Sequence, residues 1–221
     1  MKYKAVIFDL DDTLLNTFDA RVQSLQQVLT AANIAYPSGE MFLKNSRGDI
    51  RKALMQHQAT KETALDLLEN FRRAYWTKKV GLISIYPGVK PMLERLCSHG
   101  LKLGIVTQKL REFQVIGCRA GAITELEETG VANMFSVVVG FEDVDQPKPN
   151  PQGVNIALSR LGVSPDDTLV VGDNIADIEA GRASGCNTCH ATWGISLEDK
   201  QKDLQADFIM DTPELLCRLI L

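Results

Sequence analysis

The sequence predicts an α/β fold, a Rossmann-like parallel sheet core with an all-helical domain inserted into it. Three observations carry that expectation. Short apolar, β-branched runs recur at Lys4 to Asp9, 101–106, 135–140, 168–172 and 207–210. Segments between them place apolar residues at helical spacing. One long stretch, from about Thr17 to Ile83, breaks the alternation.

The first run, K-A-V-I-F-D, is apolar with a β-branched pair and reads as a buried strand. In the stretch that follows, Val22, Leu25, Val28 and Leu29 form one helical stripe, and Leu65, Leu68, Arg72 and Tyr75 form part of another. Without a strand pattern between them, residues 17–83 read as the helical insertion and residues 1–16 with 84–221 as the core. Entering right after the first strand, the insertion is expected over that strand's carboxyl end, where open α/β sheets bind ligands. Alternation resumes with Val89, Met92, Leu93 and Leu96 at helical spacing, Pro87 near the start and Gly100 at the stop. L-K-L-G-I-V is the next strand. R-E-F-Q-V-I-G-C-R-A-G-A-I-T-E-L-E-E-T-G, 111–130, reads as an extended or broken helix without a functional assignment. After F-S-V-V-V-G, Ile156, Leu158 and Leu161 before Gly162 mark a helix, and T-L-V-V-G and D-F-I-M complete the strands. Strands alternating with helices imply right-handed crossovers and a parallel sheet covered on both faces.

A chain of 221 residues, 45% hydrophobic and 24% charged, can bury a full core. The net charge of -4 supplies no basic stripe to track a phosphate backbone, so small molecules rather than nucleic acid are the expected partners. No apolar run approaches the roughly 20 residues of a membrane span, and the first residues lead straight into a strand, so a cytoplasmic monomer or homodimer is expected. Five cysteines, an odd number, point to free thiols. C-N-T-C-H, 186–190, has the spacing of covalent haem attachment but reads as a buried strand between Gly185 and Trp193, so core packing is the preferred reading.

Asp9, Asp11 and Asp12 crowd within four residues, and such carboxylates repel unless a cation or proton offsets their charge. Further polar groups sit just past other strands: Thr107 after 101–106, Lys148 in the loop after 135–140, and Asp173 after 168–172, with Asp177 four residues later. In a parallel sheet these ends share one edge, so groups far apart in sequence converge.

On these residues the sequence resembles the haloacid dehalogenase superfamily of phosphatases. D-x-D-x-T appears as Asp9 to Thr13, the hydroxyl motif as V-T-Q-K around Thr107, the lysine motif as P-K-P-N-P at Lys148, and G-D-x-x-x-D as Gly172 to Asp177. All four occur in the family's order, and the insertion matches its C1 helical cap. The resemblance implies Mg²⁺ held by the Asp9 side chain, the Asp11 backbone carbonyl and Asp173, with Asp177 in support. Such a cation would answer the crowding.

Roles can be argued beside the resemblance. Asp9, first past the strand, suits the nucleophile that forms an aspartyl-phosphate. Asp11, two residues on, points the same way in extended geometry and suits the acid and then the base. Lys148 adds a fixed positive charge and Thr107 a hydroxyl donor. Asp12, by its parity, is expected to turn away from both as a loop residue, and Thr13 to fix the loop by hydrogen bonding. Thr13, Arg47, Gln108 and Lys109 are the candidate substrate contacts. Arg47 stands beside Gly48 in N-S-R-G-D-I-R, and Gln108 stands where many phosphoglycolate phosphatase relatives carry Asn.

The expected activity is a Mg²⁺-dependent phosphatase acting on a small phosphorylated metabolite, most like phosphoglycolate phosphatase. Pyrophosphate, sugar phosphates and nucleotides are further candidates. A phosphomutase of the β-phosphoglucomutase type shares the intermediate. A receiver-like phospho-acceptor domain is disfavoured by motif order, since receivers place the phosphorylated Asp before Thr and Lys and have no second acidic motif at the end.

Overall fold

The computed structural model describes residues 2–36, 38–45, 50, 53–54, 61–78, 81–194 and 205–221. The chain divides into two compact units, one of Met1–Asn16, Ile85–Phe113 and Arg119–Leu221, the other of Thr17–Ser84 and Gln114–Cys118.

Apart from the two-residue strands β2 (Leu15–Asn16) and β3 (Ser84–Ile85), the first unit is built on strands β1 (Ala5–Phe8), β4 (Lys102–Val106), β7 (Val137–Val139), β8 (Thr168–Gly172), β9 (Asn187–Ala191) and β10 (Phe208–Met210). They form one sheet in the order β10-β9-β8-β1-β4-β7, and its ladders are parallel. All four residues of β1 are buried, as its unbroken apolar run requires of a central strand covered on both faces. β1 pairs with β4 on one side and β8 on the other, Phe8 standing opposite both Ile105 and Val171. The chain builds outward from β1 to β4 and β7, then returns to the other side of β1 with β8. That reversal opens a crevice at the carboxyl ends of β1 and β8.

Helices hold this edge in place. Gln152–Leu161 buries Val154, Ala157, Leu158 and Leu161, which pack with Ile7, Val106, Val139 and Val170. Each Val, Leu or Ile among them contributes about 2 kcal/mol by leaving water. Val89–Ser98 buries Val89, Met92, Leu93 and Leu96, the face its spacing predicts. Gly181 in the helix Ile175–Ala183 lets that helix approach the sheet, since a Cβ there would fall 2.7 Å from Thr188 and 2.9 Å from Val170.

The segment 111–130 is not a broken helix. Phe113–Val115 (β5) and Cys118–Ala120 (β6) pair as a hairpin, and a helix begins only at Ala122, ending at Glu128. Ile116 and Gly117 turn the hairpin with φ of 52° and 73°, the two positive values of a tight hairpin turn. A β-branched residue is costly there, and Ile116 is 65% exposed.

The second unit contains helices Phe18–Ala31, Gly39–Asn45 and Lys61–Lys78. Leu25, Val28 and Leu29 meet Phe42, Leu43, Leu54, Leu67 and Leu68 in its core, with Val22 and Phe71 at the margin. Leu65 is a correction: it is 44% exposed, because the buried stripe of its helix runs through Ala64, Leu67, Leu68, Ala74 and Tyr75. Arg47 lies outside the described residues. Among the described residues, no helix is long and apolar enough to cross a membrane.

Candidate active site

Asp9 follows β1 directly, and its backbone N–H donates to the Val171 carbonyl at 2.9 Å, which locks it against β8. On the other side, the Thr107 N–H donates to Val139 O at 3.0 Å. These ladder bonds fix the spacing of Asp9, Thr107 and Asp173 along one sheet edge. Lys148 enters from the loop after β7. Its ammonium donates to Asp9 Oδ1 at 2.5 Å, Asp177 Oδ1 at 2.5 Å and Val106 O at 2.8 Å, which uses all three N–H donors.

Asp177 is positioned by the helix it begins. Asn174 caps Ile175–Ala183, its Oδ1 accepting from the Ala176 N–H, while Asp177 Oδ2 accepts from the Asn174 N–H at 3.1 Å. One carboxylate oxygen therefore closes the cap and the other faces Lys148. Gly172 makes room, because a Cβ at that position would lie 2.3 Å from that of Asp177.

Asp9, Asp173 and Asp177 each place an oxygen within 4.8 Å of the others. Three buried or half-buried carboxylates cluster here and Lys148 pairs with two of them, Asp9 and Asp177, so negative charge is in excess. Burial pushes the Asp9 carboxyl up to about 7; Lys148 pulls the other way, and Asp177 and Asp11 add to the rise. Burial also raises Asp173 well above the carboxylate range, reinforced by Asp12, Asp9 and Asp177 and opposed by the Thr13 hydroxyl. Burial works to lower Lys148, but Asp177 and Asp9 outweigh it and hold the ammonium above its ordinary value. A set of hard oxygen donors with uncompensated charge suits a divalent cation of the Mg²⁺ type.

The loop after Asp9 corrects one expectation. Asp12 lies in a turn, the loop position expected of it, but strand alternation does not set its direction. The parity argument assumed extended backbone, and Asp12 has φ of 63°, which breaks the alternation. The turn is closed by Asp12 N–H to Leu15 O at 2.7 Å. Thr13, fully buried, donates to Asp173 Oδ1 at 2.8 Å, so its hydroxyl joins the loop to β8. Trp193 Nε1–H donates to Thr13 O at 2.8 Å, and the Tyr86 hydroxyl donates to Gly194 O at 3.1 Å.

Thr107, Gln108 and Lys109 take three different positions. Thr107 Oγ1 accepts from the Lys109 N–H at 3.1 Å, which leaves its own proton to donate elsewhere. Gln108 Nε2 donates to Lys148 O at 3.1 Å, bracing the lysine loop. Lys109 Nζ lies 2.8 Å from Asp11 Oδ1 and 2.5 Å from Glu125 Oε2, so two carboxylates engage it.

Sequence reasoning missed Glu125, Trp193, Tyr86 and Gly194. Glu125 carries no signal in the sequence; only the structure shows that it shares the buried face of its helix with Ala122 and Leu126, where a charge is out of place. C-N-T-C-H runs from Cys186 into β9, with Cys186, Cys189 and His190 buried. Burial pushes the Cys186 thiol up to about 11, with Asp166 adding, and the Cys189 thiol up to about 12.

A buried carboxylate paired with a lysine, a hydroxyl and an acidic cluster at the carboxyl ends of parallel strands fit a hydrolase of the haloacid dehalogenase type. The family model described as haloacid dehalogenase-like hydrolase matches residues 6–191, and the chain belongs to that family. Pyrophosphatase PpaX of Bacillus pumilus is 32% identical over 207 residues, 93% of this chain and 90% of that protein. Phosphoglycolate phosphatase of Aquifex aeolicus is 30% identical over 217 residues, 98% of this chain and 96% of that protein. The crystal structure of a predicted phosphatase from Clostridium acetobutylicum matches with a TM-score of 0.83 over 100% of this chain and 99% of that one; at 22% identity it speaks for the fold alone.

Proposed function

We propose that the chain is a Mg²⁺-dependent phosphatase that hydrolyses a small phosphate monoester of the phosphoglycolate type through an aspartyl-phosphate on Asp9. The observation that carries this reading is the 2.5 Å pair of Lys148 with Asp9 beside the Asp9, Asp173 and Asp177 cluster. The relatives named as phosphatases support it.

Asp9, Asp173 and the Asp11 carbonyl would hold the cation, with Asp177 behind them. Bound there, it supplies positive charge that offsets the carboxylates and the phosphoryl oxygens. Asp9, held by β8 and Lys148, attacks phosphorus as the carboxylate. The P–O ester bond breaks as Asp11 delivers its proton to the leaving oxygen. In the second step Asp11 takes a proton from water as water attacks phosphorus, the bond to Asp9 breaks, and phosphate leaves. Lys148 and the Thr107 hydroxyl are suited to balance charge on the transferring group.

The test is phosphate release from 2-phosphoglycolate, pyrophosphate, sugar phosphates and nucleotides, with and without Mg²⁺. Release from at least one small ester that chelator and Asp9→Asn both abolish is expected. Inactivity toward all of them with Mg²⁺, or transfer to sugar without net phosphate release, would overturn the hydrolase reading in favour of a phosphomutase or a non-catalytic acceptor.

A further inference from the structure

We infer that Glu125 is a positioning residue for Asp11, acting through Lys109, and that the helix after the β5-β6 hairpin serves to deliver it. The inference rests on Asp11 as the acid and base.

Glu125 has no exposed surface, and its position on the helix Ala122–Glu128 is one an aliphatic side chain would ordinarily fill. A buried carboxylate is retained at cost unless paired, and here the pair is the Lys109 ammonium at 2.5 Å. The same ammonium lies 2.8 Å from Asp11 Oδ1. Lysine has a flexible stem and three rotatable donors, so by itself it is a poor orienting group. Lys109 is fixed at both ends: its N–H is held by Thr107 Oγ1 at 3.1 Å, and its Nζ is shared between two carboxylates.

Asp11 sits on the loop past β1, its side chain 19% exposed, with the Lys109 ammonium 2.8 Å from Oδ1. An acid must face the leaving oxygen within hydrogen-bond reach. The helix that carries Glu125 is tied back to the Lys109 loop by Ala122 N–H to Leu110 O at 3.0 Å and Ile123 N–H to Arg111 O at 3.2 Å. The hairpin thus leaves and returns to the same loop. Lys109, shared between Asp11 and Glu125, orients the acid.

A double-mutant cycle tests this. Rates of phosphoenzyme formation are measured with an alkyl phosphate that the enzyme turns over and with p-nitrophenyl phosphate, whose leaving group needs little protonation. Glu125→Gln is expected to slow the alkyl reaction about 10- to 100-fold, KM staying within about 2-fold, and to slow the aryl reaction far less. In the Asp11→Asn background, Glu125→Gln should cause no further loss. Equal losses with both esters, or additive losses in the cycle, would overturn the inference. Lys109→Met breaks the same link and is held to the same two outcomes if Glu125→Gln does not fold. Full alkyl-phosphate activity in Asp11→Asn alone would instead overturn the acid–base reading beneath it.

Discussion

The ammonium of Lys148 lies 2.5 Å from Asp9 Oδ1 across 139 positions of sequence, with Asp177 at the same distance on its other side. One cation thus holds the carboxylate at the end of the central strand and the carboxylate that caps a helix of the neighbouring crossover. Both pairs are nearly excluded from water, the lysine side chain being 6% exposed.

Lys148→Met should therefore cost twice. Turnover is expected to fall about 10²- to 10³-fold through loss of charge at the transferring group. The buried carboxylates left unpaired should destabilise the metal-free protein by about 3–5 kcal/mol. Steady-state kinetics and urea unfolding check the two effects, and Mg²⁺ should recover part of the stability but little of the rate.

Asp177 separates two roles by substitution. Asp177→Asn keeps an oxygen able to accept the Asn174 N–H but removes the charge. It should weaken Mg²⁺ activation about 10- to 100-fold and also lower the melting temperature, because the amide NH2 then faces the Lys148 ammonium where Oδ1 accepted from it. Asp177→Ala also loses the cap and should cost about 1 kcal/mol more. Mg²⁺ titration of activity and thermal unfolding of both variants distinguish them.

The raised carboxyls make stability depend on pH in a defined direction. Asp9 titrates at 3.8 when unfolded and at about 7 in the fold, so the folded state binds the extra proton between those values. Its contribution is fully present below about 3.8 and is lost as pH rises through about 7; Asp173 acts in the same direction. Metal-free wild type should therefore lose stability relative to Asp9→Asn between about pH 5 and pH 8. Mg²⁺ should raise the melting temperature more at the higher pH.

Trp193→Phe removes the indole donor to Thr13 O while keeping most of the apolar packing. A loss of about 1 kcal/mol is expected in unfolding experiments. Mg²⁺ activation should weaken too, because Thr13 carries the hydrogen bond to Asp173.

Asp9, Thr107, Lys148 and Asp173 were legible because each follows a buried apolar run, and parallel strands bring run ends to one edge. What failed was local backbone. Parity sets a side chain's direction only while the chain stays extended, and a φ of 63° at Asp12 ends that after Asp11. Phe113–Val115 and Cys118–Ala120 are too short to announce strands, and their turn uses Ile116, an unexpected residue at positive φ. Trp193 and Tyr86 reach the loop after Asp9 by hydrogen bonds that no spacing encodes. Glu125 looks like one of several solvated charges in I-T-E-L-E-E until its face is known.

The central claim is that phosphate passes through Asp9. Acid-quenched enzyme from a rapid-mixing experiment with Mg²⁺ and substrate, digested and examined by mass spectrometry, tests it most directly. The expected result is one phosphoryl group on the peptide containing Asp9, formed and lost at rates compatible with turnover and absent from Asp9→Asn. Full-rate hydrolysis with no phosphoenzyme at any time point, or Asp9→Asn turning over like wild type, would contradict it.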